Sequence, residues 1–85
     1  MKKNNTGQKV KTIRLALGLS QMKLATLFKV EQNMISQIET ERRPLPRDLA
    51  NILIDICKEQ GFKMGTRKNP ITISLDYLYR DDESS

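Results

Sequence analysis

The 85-residue chain has no histidine, no tryptophan and a single cysteine, Cys57. One cysteine excludes a disulfide framework. Without histidine there is no residue set with the spacing of a zinc site, and no imidazole to activate a serine or cysteine nucleophile. The chain therefore reads as a non-enzyme without metal or cofactor. Long apolar runs are also missing: nothing approaches the ~18 residues of a membrane span. The opening Met1-Lys2-Lys3-Asn4-Asn5 leads into polar residues, not into the apolar stretch of a signal peptide. A soluble, cytoplasmic protein is expected, with no membrane partner.

Carboxylates are absent from the first third. Residues 1–30 carry Lys2, Lys3, Lys9, Lys11, Arg14, Lys23 and Lys29 and no acidic residue, whereas the remainder is mixed and the whole chain has a formal charge of +5. An anionic partner fits that block, but a solvated helix face or a disordered basic arm accounts for it equally well. The length allows one domain with a small core, worth about 3–5 kcal/mol net, so association with a second copy is a natural way to bury more surface.

Apolar spacing locates the helices. Val10, Ile13 and Leu17 recur at intervals of three and four, which predicts a helix from Gln8 to Leu17 stopped by Gly18. Ser20 is placed to cap a second helix starting near Gln21, with Leu24, Ala25 and Phe28 on one face. After Lys29-Val30-Glu31, the pattern resumes at Met34, Ile35 and Ile38. Pro44 and Pro46 forbid helix through 43–46 and predict a fourth helix from about Pro46 or Arg47, whose face holds Leu49, Ile52, Leu53, Ile56 and Cys57. In that apolar run Cys57 reads as a core thiol. Gly61 ends the helix, and 62–70 has the composition of an irregular loop. Ile71-Thr72-Ile73 is ambiguous, and Ser74 and Asp76 suggest the start of a last helix carrying Leu75 and Leu78.

The stretch from Leu19 to Glu39 resembles the Cro/C1-type (xenobiotic-response-element) helix-turn-helix family. The resemblance runs from about Val10 to Ile56 and includes Arg14, Gly18-Leu19-Ser20-Gln21, Leu24-Ala25 and Ile35-Ser36-Gln37-Ile38-Glu39. It implies an all-α, five-helix, lambda-repressor-like DNA-binding domain at 8–80 with its helix-turn-helix at about 20–39. A flexible basic arm at 1–7 and a disordered acidic tail at 81–85 would flank it. The implied function is sequence-specific transcriptional regulation, most simply repression, by a homodimer on a palindromic operator in double-stranded DNA, with half-sites about one helical turn apart.

Residue by residue, the resemblance assigns Gln21 to a phosphate and Gln32 and Asn33 to base edges, since carboxamides can bond adenine bidentately. Gln37 and Ser36, one turn later, are further base-contacting candidates. Arg43, Arg42, Lys23 and Thr40 are phosphate candidates, with Thr40 alternatively a cap. Lys9 and Lys11 are secondary phosphate candidates, and Lys2 and Lys3 a loose arm. Arg14 and Glu39 match a structural salt bridge. Phe62, Met64, Ile71, Ile73, Tyr77 and Tyr79 either form a dimer surface or pack as a satellite core over the fourth helix. Three positions depart from the family pattern: Lys29 and Glu41 stand where glycine is usual, and Glu31 replaces a small hydroxyl residue. The 61–73 segment is also longer than in typical relatives. Other readings stay open: a stand-alone antitoxin or anti-repressor whose target is a protein, and a restriction-modification-type controller that also activates, with toxin or RNA polymerase as partner.

Overall fold

Four helix ends, closed by one hydrogen-bond pattern, set the path of the chain in the computed structural model. It describes residues 3–82, with side chains over 5–80. Helix α1 (Thr6–Ala16) ends with the Gly18 amide donating to the Leu15 carbonyl and the Leu19 amide to that of Arg14, both at 3.0 Å. Helix α2 (Gln21–Phe28) repeats this with Lys29 to Thr26 and Val30 to Ala25, and α3 (Gln32–Glu39) with Glu41 to Ile38 and Arg42 to Gln37. Helix α4 (Arg47–Gln60) ends likewise through Gly61 and Phe62. Each reversal needs a residue at positive φ, here Gly18 (76°), Lys29 (61°), Glu41 (65°) and Gly61 (65°). Glycine takes this conformation freely, whereas a residue with a Cβ does so at a cost of roughly 1–2 kcal/mol.

The helix starts explain one of those costs. Ser20 caps α2, its hydroxyl oxygen accepting from the Lys23 amide at 3.0 Å, and Ser74 caps α5 (Leu75–Tyr79) through the Tyr77 amide at 3.2 Å. Helix α1 has no such local cap, because the Asn5 side chain makes no capping bond and its first turn holds no acid. Instead the Glu41 carboxylate, arriving from the end of α3, accepts from the Gln8 amide at 3.0 Å. A negative group thereby sits at the positive end of α1. The left-handed Glu41 thus ties the end of α3 to the start of α1 through a partner 33 positions away in sequence.

The core is the set of faces read from the periodicity. Val10, Ile13, Leu24, Ala25, Phe28, Ile35, Ile38, Leu49, Leu53, Cys57 and Leu78 are buried, with Leu45, Ala50 and Ile73 added. Leu17, Met34, Ile52, Ile56 and Leu75 pack against it half-buried. Helix α3 lies against α1 and α2, and α4 packs on α2 and α5. Burial pushes the Cys57 thiol up to about 11, so it stays protonated and unreactive at neutral pH.

The mostly helical architecture has two short strand pairs. Strand β1 (Lys3–Asn4) pairs antiparallel with β4 (Asp81–Asp82), tying together the ends where an arm and a tail were expected, and α1 begins at Thr6, earlier than Gln8. Lys2 of the expected arm and the tail beyond 82 lie outside the described residues. Strands β2 (Met64–Gly65) and β3 (Pro70–Ile71) form a hairpin in place of the irregular loop. Among the six candidates for a dimer surface, Ile73 is 3% exposed and belongs to the core, while Phe62, Met64, Tyr77 and Tyr79 pack half-buried against it. Only Ile71 is exposed. The Tyr79 hydroxyl donates to the Leu45 carbonyl at 2.7 Å, fastening α5 to the loop before α4. Within the single chain these five side chains pack on the core, with α5 lying against α1 and α4.

Candidate nucleic-acid interface

Helix α3 is two-faced. Ile35, Ile38 and Glu39 are buried, and Gln32 and Asn33 are exposed one turn away. Ser36 and Gln37 are half-buried and continue the outer face, as the 3.6-residue turn requires. Gln32 and Asn33 are the first two residues of the helix.

A chain of polar contacts runs beneath this face. The Arg14 guanidinium grips Glu39 with two bonds, Nε to Oε2 at 2.6 Å and Nη2 to Oε1 at 3.2 Å, and also donates to the Leu19 carbonyl at 2.8 Å. The pair is buried, with side-chain exposures of 8% and 2%. Burying two charges is tolerated when the geometry is bidentate and the remaining lone pairs find donors. Here Gln21 supplies one, its amide nitrogen donating to Glu39 Oε1 at 3.1 Å. Gln32 in turn donates to Gln21 Oε1 at 3.4 Å, a long contact. No described side-chain polar atom is left buried and unpaired.

Gln21, expected to reach a phosphate, is therefore half-buried and turned towards Glu39, at the N-terminus of α2 where the helix amides face outward. Gln37 is held by Arg43, whose Nε donates to its Oε1 at 3.0 Å, which leaves the Gln37 amide N–H groups outward as donors. Arg42, Arg43, Lys23 and Lys11 are exposed. Thr40 acts as a cap, its hydroxyl donating to the Ser36 carbonyl at 2.9 Å and also meeting that of Gln37 at 3.3 Å. Lys9 is not available as a phosphate contact: it is 9% exposed and donates to the carbonyls of Tyr77 and Arg80 at the end of α5. Val30 and Met34 line an open groove of about 380 Å³ bordered by Glu31, Asn33, Gln37 and Arg43.

Chemically, this face offers carboxamides that both donate and accept, a hydroxyl, apolar surface from Met34 and flanking guanidinium groups. Base edges carry adjacent acceptor and donor groups, and a carboxamide matches adenine N7 and N6 while an apolar group matches the thymine methyl. The face holds no acid-base or nucleophile constellation, and no group of metal-ligating side chains occurs among the described residues. No described helix is long and apolar enough to cross a membrane.

Sequence reasoning missed three contacts here: the Glu41 cap on α1, the Gln21 donation to Glu39 and the Arg43 grip on Gln37. The first had a legible signal, an acid in a position that calls for positive φ. The other two join side chains whose partners depend on helix packing. No protein-family model, no curated protein and no solved structure matches the chain.

Proposed function

We propose that the protein is a sequence-specific regulator of the Cro/C1-type helix-turn-helix family. In this reading α2 and α3 form the motif, and α3 enters the major groove of double-stranded DNA. The observation that carries the reading is the locked, two-faced α3. Gln32 and Asn33 are exposed at its start, and its inner side is fixed by the Arg14–Glu39–Gln21 network. Such support suits base readout, which needs side chains held in register by the groups behind them.

Gln32 and Asn33 read base edges, Gln37 extends the contact, and Met34 faces a thymine methyl. Arg42, Arg43, Lys23 and the amide end of α2 at Gln21 hold the phosphates. Binding is to a palindromic operator as a homodimer in the cytoplasm, and the output is repression. Of the six apolar candidates of 61–80 for the dimer contact, Ile73 lies within the protein's own core, whereas the others keep surface that a second copy could cover.

Selection from random-sequence duplexes tests the proposal. Wild type should enrich a two-fold symmetric motif, and Gln32→Ala should relax the preference at a symmetric pair of positions in it. Enrichment of no motif would overturn the reading.

A further inference from the structure

The segment between α4 and α5 holds four apolar residues, Phe62, Met64, Ile71 and Ile73, among its polar and cationic ones. In the structure these residues, Ile71 apart, turn towards the core, and the charges face outward. Phe62 and Met64 pack on the core and Ile73 lies within it, while Lys63, Arg67 and Lys68 are exposed. From Gln60 to Leu75 there is no carboxylate. Among the described residues none of the three cations has an ion-pair or hydrogen-bonding partner.

The segment is built to hold its shape. Strands β2 and β3 pair Met64 with Ile71 and Gly65 with Pro70. The tip is pinned by the Thr66 amide donating to the Asn69 carbonyl at 3.3 Å and the Asn69 amide to the Thr66 hydroxyl at 3.0 Å. Gly65 has a φ of 86°, and a Cβ there would stand 2.4 Å from the Asn69 carbonyl oxygen, so the sharp turn excludes any larger residue. Its base is clamped where the Phe62 amide donates to the Cys57 carbonyl at 2.8 Å. The result is a short hairpin with a cationic, hydrogen-bonding tip and an apolar root.

We infer that this hairpin, residues 62–71, is a second DNA-contacting element that grips the phosphate backbone outside the base pairs read by α3, through Lys63, Arg67 and Lys68. The inference rests on the proposed DNA-binding function. Three uncompensated cations on a stiff support suit a polyanion, and the tip sequence Thr66-Arg67-Lys68-Asn69 has donors but no apolar group to insert into a lipid surface. Two copies of the hairpin would repel each other, which disfavours pairing through it. Contacts of this kind add affinity without sequence information and show in the salt dependence.

The test compares wild type with Lys63→Gln/Arg67→Gln/Lys68→Gln on two duplexes, one cut to the selected motif and one carrying flanking base pairs, over a salt series. Each phosphate contact contributes about 0.9 to the slope of log affinity against log salt, so the variant should lose about 2.7 per protomer from the slope on the long duplex. On the short duplex the two proteins should coincide. The substituted side chains are exposed and unpaired, so the variant should fold as wild type does, and Arg67→Glu/Lys68→Glu should exaggerate the loss. Equal slopes and affinities on the long duplex would overturn the inference while leaving recognition by α3 intact. If wild type selects no motif but the triple variant still loses slope on random duplex, the hairpin contact stands and the recognition-helix reading fails.

Discussion

Arg14, Glu39 and Gln21 form a hydrogen-bonded cluster behind the outer face of α3. The Arg14–Glu39 pair is bidentate and buried, so removing one partner strands the other charge in a poorly solvated site. Glu39→Ala should therefore destabilise the fold by about 3–5 kcal/mol in urea denaturation, and Arg14→Met/Glu39→Leu should recover most of that loss. A loss under about 1 kcal/mol, the size expected of a surface pair, would show that the pair is solvated. The ion pair was legible in the sequence because both residues fall in the motif that carries the family resemblance. The Gln21 contact was not, since an isolated glutamine reads equally well as solvent-facing, and only the packing of α2 against α3 brings it to Glu39.

At the scale of elements, the two turns flanking α3 carry the same strain with different returns. Lys29 and Glu41 both sit at positive φ, yet only the Glu41 side chain has a task, capping α1 through the Gln8 amide. Lys29→Gly should raise stability by about 1 kcal/mol by relieving the left-handed cost. Glu41→Gly gains the same relief but loses a cap worth about 1 kcal/mol, so its net effect should be near zero. Thermal melts of the two variants decide the matter: equal stabilisation by both would show that the cap contributes nothing. Helices were the readable part of the chain. Apolar spacing located the first four and the cap signal of Ser74 and Asp76 the fifth, and Gly18, Ser20, Pro46, Gly61 and Ser74 marked boundaries that the structure keeps to within two residues. The 64–71 hairpin was unreadable by the same logic, since each strand is two residues long and too short for any alternation to show.

For the molecule as a whole, the small core is closed by α5 and by the pairing of β1 with β4, which brings the two ends of the described chain together. Apolar content in 61–80 could not tell self-coverage from a partner surface in the sequence, because both bury the same residues and only the path of α5 separates them. The outer face of α3 and the hairpin tip both face solvent, and the proposed function uses both.

Base reading by Gln32 and Asn33 is checked by the affinity of wild type and of Gln32→Ala/Asn33→Ala for a selected duplex and a scrambled one across a salt series. A good side-chain contact to a base edge is worth about 1–3 kcal/mol of discrimination. The double variant should lose at least that much on the selected duplex while keeping wild-type affinity for the scrambled one and the wild-type salt slope. If instead the variant distinguishes the two duplexes as well as wild type does, α3 is not the reading element.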